Sequence, residues 1–152
     1  LIDPDVIDKT VSAFADSQPP YDFVTNRLPP PWERTYPIGL DVEVCSIQTL
    51  EQAWREAKEP HQREHVMPYL YENETRFRTL LVDYEQDLSH LRWTVDTQAD
   101  LDLIREVVTH FNGRDNFSWL EIVKLFELEP RLKQINADVQ HKSVRDVDQR
   151  ME

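Results

Sequence analysis

Apolar positions recur along the chain at two periods, and the points where one period gives way to the other mark out its elements. Asp3-Pro4-Asp5 sets an aspartate before a proline, the order of an N-cap and a first helical residue. Ile7, Val11 and Phe14 follow at helical spacing, so a helix is expected over residues 4 to 16. Tyr21 to Thr25 is short and rich in aromatic and β-branched residues, with prolines before it and Asn26 after, and reads as a strand. Leu28 to Pro37 carries four prolines and is expected to be an irregular loop. Leu40-Asp41-Val42-Glu43-Val44 alternates strictly, which makes a strand with three apolar side chains on one face and Asp41 and Glu43 on the other.

Ile47, Leu50 and Trp54 form the apolar stripe of a helix ending near Pro60, and a helical stretch from Gln62 to Tyr71 should be short or kinked at Pro68. Arg76 to Asp83 and Leu91 to Val95 read as further strands. The next helix shows Leu101, Ile104, Val108 and Phe111 on one face and closes near Gly113. Ser118-Trp119-Leu120-Glu121 is a capping box opening a helix with Ile122, Val123 and Phe126 as its apolar positions. Residues 1–130 are thus expected to form the folded portion, with 131–152 a charged tail or a segment that docks on a partner. Strands alternating with helices point to an α/β layer structure, and some four strands make only part of a sheet. Trp54 and Trp93 are expected in the core, as is Cys45, read as a small apolar residue.

Composition narrows the chemistry. The 152 residues include 29 Asp and Glu against 17 Lys and Arg, a formal charge of -12, so the surface repels phosphate backbones and nucleic-acid binding is not expected. One cysteine rules out an internal disulfide, and no run of about 18 apolar residues is long enough to span a membrane, so the chain reads as soluble and cytoplasmic, without a membrane partner. With only Gly39 and Gly113, it holds neither a P-loop nor a GxGxxG turn, both of which need several glycines to bring backbone up to phosphate. A nucleotide-binding loop would have to lie elsewhere, and a start on Leu1-Ile2 rather than Met suggests part of a longer protein.

Three clusters are candidates for chemistry. Asp96 stands between an expected strand and an expected helix, where an aspartate is usually the cap. Thr97 and Asp100, however, form a T-x-x-D arrangement that supplies the cap, which leaves Asp96 spare. A carboxylate at the carboxyl end of a strand in an open α/β sheet suits a magnesium ligand beside phosphates. Asp41 and Glu43, following the Pro37-Ile38-Gly39 turn, are either the wet face of an edge strand or acceptors for sugar hydroxyls. His61-Gln62-Arg63-Glu64-His65 matches H-x-x-E-H, in which two histidines one helical turn apart hold zinc, but the neighbouring Pro60 and Pro68 argue for side chains that face solvent or substrate.

Four stretches in matching order resemble one family: Leu1-Ile2-Asp3-Pro4, Tyr36 to Val44, Arg63 to Tyr71, and Asp87 to Thr97 are similar to the second half of the SpsF-type spore coat polysaccharide biosynthesis proteins. These are grouped with the acylneuraminate and 3-deoxy-manno-octulosonate cytidylyltransferases. The resemblance covers most of residues 1–130. It implies the C-terminal part of a Rossmann-like nucleotide-diphospho-sugar transferase sandwich, a mixed sheet with flanking helices. It also implies a transferase that joins CTP to a sugar acid, releasing pyrophosphate and giving a CMP-sugar for surface polysaccharide, with Mg2+ on the triphosphate. The family's V-D-T-x-x-D-L segment matches Val95 to Leu101, so its metal aspartate falls on Asp96. Asp41 and Glu43 fall on the sugar side, and Arg63, Glu64 and His65 near the active-site rim or a dimer contact, with a homodimer as a further expectation. The family's glycine-rich triphosphate loop has no counterpart in these residues. A noncatalytic module that binds a sugar or mediates assembly is therefore the alternative reading.

Overall fold

The computed structural model describes residues 1–29, 34–65 and 67–140. In chain order the elements are α1 (Pro4–Ala15), β1 (Phe23–Thr25), β2 (Glu43–Cys45), α2 (Ile47–Glu56), α3 (Pro60–Glu64), α4 (Pro68–Tyr71), β3 (Thr79–Leu81), α5 (Gln98–His110), α6 (Trp119–Leu128) and α7 (Leu132–Ile135). This is a mixed α/β fold whose small sheet has the order β2-β1-β3, antiparallel on one side of β1 and parallel on the other. Its central strand is buried along its whole length.

The capping signals form as expected. Asp3 Oδ1 accepts the amides of Asp5 and Val6 at the start of α1, while its Oδ2 accepts the amide of Trp119 at 2.8 Å, so one buried carboxylate closes the first turns of both α1 and α6. Thr97 and Asp100 form a reciprocal capping box on α5, and Ser118 and Glu121 another on α6. The expected stretch splits into α3, which ends at Glu64, and α4, which Pro68 opens at its first helical position, where a missing N–H costs nothing. Asn112 and Gly113, both at positive φ, close α5.

Helix rotation and strand length differ from the sequence pattern. In α1 the buried positions are Val6 and Thr10, one step from Ile7 and Val11; Thr10 returns its hydroxyl to Val6 O. In α5 they are Asp100, Leu103 and Val107 rather than the stripe through Val108, which is 42% exposed. The cause is Asp100: its carboxylate points inward to Arg92, and this turns Leu103 and Val107 into the core, where each contributes about 2 kcal/mol by burial. The stripe on α2 is a larger departure, because Thr49 and Ala53 face inward while Ile47 and Trp54 are 70% and 65% exposed. Trp54 is therefore a surface residue, whereas Trp93 is fully buried against Phe126.

The expected strand over Leu40 to Val44 pairs only from Glu43 to Cys45, because a side chain takes over the ladder. Asn26, fully buried, donates through Nδ2 to Leu40 O and accepts the Val42 amide on Oδ1, both at 2.8 Å, imitating a peptide group. The expected alternation survives: Leu40 is buried and Asp41 and Glu43 are exposed. Arg76 to Asp83 shortens to β3. Leu91 to Val95 is not a strand of the sheet; it makes one parallel bridge, Ile38 to Arg92. Gly39, at φ +105, lets the loop lie against this segment, since a Cβ there would sit 2.7 Å from backbone atoms of Trp93 and Thr94. Past Arg131, Leu132 and Asn136 are buried on the body of the fold. Residues 141–152 of the expected tail, and 30–33 of the proline loop, lie outside the described residues.

Two apolar clusters fill the interior. The larger gathers Trp93, Leu103, Val107 and residues of α6 with Leu132; the smaller gathers Phe23, Leu28, Ala53, Leu70, Tyr71 and Phe77 beneath the sheet. Among the described residues no helix is long and apolar enough to cross a membrane.

Candidate functional site

Asp96 ends the extended segment that bridges to Ile38 and immediately precedes the Thr97 cap of α5. Relieved of capping, its side chain is 62% exposed. Arg92 Nη2 donates to Asp96 Oδ2 at 2.6 Å, and among the described residues no hydrogen bond reaches Oδ1. One oxygen is thus fixed and the other is presented, an arrangement suited to an oxygen ligand of a hard divalent cation. Arg92 is itself seated on Asp100, whose side chain is wholly buried: Nε reaches Oδ1 at 2.9 Å and Nη2 reaches Oδ2 at 3.1 Å. Burial alone would push the Asp100 carboxyl up. The hydrogen bonds from Arg92, Asn136, Asp96 N and Thr97 outweigh it and hold the group well below the usual carboxylate range. Asp100 in turn pushes the Arg92 guanidinium further up.

Asp41 and Glu43 project together, as alternation requires, but they are not bare. Arg34 pairs with Asp41 while also bonding the carbonyls of Tyr36 and Pro37 at 3.2 Å. Arg27 lies across both acids, 3.9 Å from Asp41 and 3.8 Å from Glu43. Partial covering of its side chain raises the Glu43 carboxyl, against the opposing pull of Arg27. Tyr71 stands beside this group, its phenol pushed up to about 12 by burial and by the Glu72 and Glu43 charges, with Arg27 acting in the opposite sense.

Glu72 links this cluster to α3, accepting from Gln62 at 2.7 Å and lying 2.8 Å from His61 Nε2. Arg63 turns the other way and caps the carbonyl of Trp54, Glu64 is exposed, and His65 sits beyond the helix end in an extended conformation, its Nε2 buried without a hydrogen bond. The two histidines of H-x-x-E-H therefore do not share a helical face, and among the described residues no group of three or more His, Cys, Asp or Glu side chains is placed to hold a metal ion. The zinc reading has no support in this geometry. Arg27 joins Asp41 to Glu43, Glu72 is tied to His61 and Gln62 of α3, and Asp96 is held by Arg92.

Sequence reasoning missed Arg27, Arg34, Arg92 and Asn136. Arg92, Asp96 and Asp100 are spaced by four residues, which is a signal of sorts, although it runs across a change of secondary structure where no single period applies. Beside these clusters, the exposed side of α2 forms a groove of about 600 Å3 lined by Ile47, Leu50, Trp54, Glu51 and Arg63.

No protein-family model matches the chain. Over 114 residues it is 38% identical to an uncharacterized protein of Methanocaldococcus jannaschii, an alignment covering 74% of this chain and 46% of that protein. The structure of a cytidylyltransferase from Leptospira borgpetersenii serovar Hardjo-bovis (strain JB197) superimposes with a TM-score of 0.80 at 28% identity, covering 92% of this chain and 56% of that one. The chain spans about half the length of each. Its mixed sheet with flanking helices matches a cytidylyltransferase-like fold, and the likeness supports placing it in the cytidylyltransferase superfamily.

Proposed function

We propose that the protein to which this chain belongs is a nucleotidyltransferase of cytidylyltransferase type, which activates a sugar acid with CTP to give a CMP-sugar and pyrophosphate for surface polysaccharide, as in spore coats. The observation that carries this reading is the likeness to the solved cytidylyltransferase. In this reading a sugar hydroxyl attacks the α-phosphorus in line, and the protein's part is positioning and charge neutralisation. Asp96 supplies one oxygen, Oδ1, toward Mg2+, and its fixed Oδ2 keeps that oxygen aimed. The ion, when bound, offsets the charge building on the phosphates. Asp41 and Glu43 accept sugar hydroxyls; Arg27 lies across both acids and Arg34 pairs with Asp41, which holds the two side chains in place. Arg63, Glu64 and His65 are assigned to the rim of the site or a dimer contact, and the cytoplasm is the expected compartment.

The test is pyrophosphate release by the complete protein with CTP, Mg2+ and a panel of sugar acids. Asp96→Asn should lower turnover at limiting Mg2+ by on the order of 10²; unchanged activity would remove the role from Asp96. A second reading, a noncatalytic sugar-binding or assembly module, is favoured by the exposed groove on α2, which also supports the proposed homodimer. Vigorous pyrophosphate release by these 152 residues alone would exclude it.

A further inference from the structure

We infer that Asn136, just past α7, is a positioning residue for the Asp96 carboxylate, acting through Asp100 and Arg92; the inference rests on the proposed role of Asp96 as a metal ligand. Both amide protons of Asn136 are committed. Nδ2 donates to Arg92 O at 3.0 Å and to Asp100 Oδ1 at 2.9 Å, in a setting where Asn136 is 7% exposed and Asp100 fully buried. Arg92 is therefore held twice by one side chain, directly at its carbonyl and indirectly at its guanidinium. A guanidinium is a rigid planar fork, so fixing Nε and one proton of Nη2 on Asp100 fixes the direction of the other Nη2 proton, which lies on Asp96 Oδ2. The backbone of Asp96 refers to the same anchor, since its amide donates to Asp100 Oδ2 at 3.2 Å. Carboxylates that ligate metals depend on such outer hydrogen bonds for their aim. The orientation of Oδ1 is thus set from a segment 40 residues later in the chain, counting from Asp96 to Asn136.

The experiment uses the 152-residue chain labelled with 13C and 15N. In Asn136→Ala the Asp96 carboxylate 13C resonance should shift and exchange of the Asp96 amide should accelerate about five- to tenfold, the loss of one supporting hydrogen bond. Leu70→Ala, which opens a cavity in the other apolar cluster, controls for lost stability alone and should leave both signals in place. Should Asn136→Ala not fold, Asn136→Gln keeps the amide but displaces it by one methylene, and must move the same resonance. An Asp96 resonance at its wild-type position in the folded variant overturns the inference, whatever happens to the melting temperature. Titration with Mn2+ judges the metal reading separately. Broadening centred on Asp96 and abolished by Asp96→Asn supports that reading, and its absence in the wild type defeats it, while the carboxylate shift still decides the positioning role.

Discussion

Replacing Asp100 by asparagine keeps the shape of the side chain and removes its charge. Among the described residues six donors converge on the carboxylate: Arg92 Nε and Asn136 Nδ2 on Oδ1, and Arg92 Nη2, Asp96 N, Thr97 N and Thr97 Oγ1 on Oδ2. An asparagine offers one carbonyl oxygen, so one of these sets meets an N–H instead, and at least two donors lose their acceptor. Two buried orphans at about 1–3 kcal/mol each give about 2–6 kcal/mol. Arg92, meanwhile, loses the charge of its buried partner, and breaking a buried pair from one side costs about 3–5 kcal/mol. Both routes centre near about 4 kcal/mol, a large part of a domain's stability, equivalent to a fall in Tm of about 8–16 °C. Urea unfolding at pH 7, followed by tryptophan fluorescence and far-UV circular dichroism, measures it. The folded Asp100 carboxyl titrates below its unfolded value, so its contribution is full above about pH 4 and declines as acid lowers the pH further. The gap between wild type and variant should therefore narrow only in strong acid. A loss below about 1 kcal/mol, no larger than that expected for the exposed Asp96→Asn, would refute the reasoning.

Asp3→Ala should cost about 2–4 kcal/mol in the same assay, a lost cap on α1 plus an orphaned Trp119 amide, and Asp3→Ser should recover about half by capping α1 alone. Gly39→Ala should destabilise by at least about 2 kcal/mol, because its φ is unfavourable for alanine and its Cβ would meet the backbone of Trp93 and Thr94; wild-type stability would show that the loop can withdraw freely. On the proposed homodimer through the α2 face, Trp54→Lys should shift sedimentation velocity profiles from dimer to monomer without loss of helix content. A dimer that persists in the variant would place the interface elsewhere.

The features legible in the sequence are those decided by a few neighbouring residues. Asp3-Pro4, Thr97 with Asp100, and Ser118 with Glu121 name their helix starts because a cap is satisfied within four positions. The break at Pro68 is equally local. What the pattern could not show is where a helix turns its face once a polar residue has a distant partner. Asp100 satisfies the cap rule either way, and only Arg92 and Asn136 make it an interior anchor that rotates α5. Leu91 to Val95 has strand composition, but a strand is a matter of pairing, and the pairing stops at Arg92. The candidate site divides similarly: the spare position of Asp96 follows from local grammar, whereas the arginines that hold Asp41, Glu43 and Asp96 are set by the fold.

Asn26 sets the register of the chain that leads into β2. Its amide reads two groups on one facing segment, Leu40 O and Val42 N, and nothing offset by a single residue presents a carbonyl and an N–H in that order and on that side. A slip of one residue would drive Asp41 and Glu43 inward and bring Leu40 out to water, since side chains alternate across a strand. Short strands of three residues have few ladder bonds with which to reject such an error. One asparagine therefore fixes the register of the segment that leads into β2, and with it the outward placing of Asp41 and Glu43.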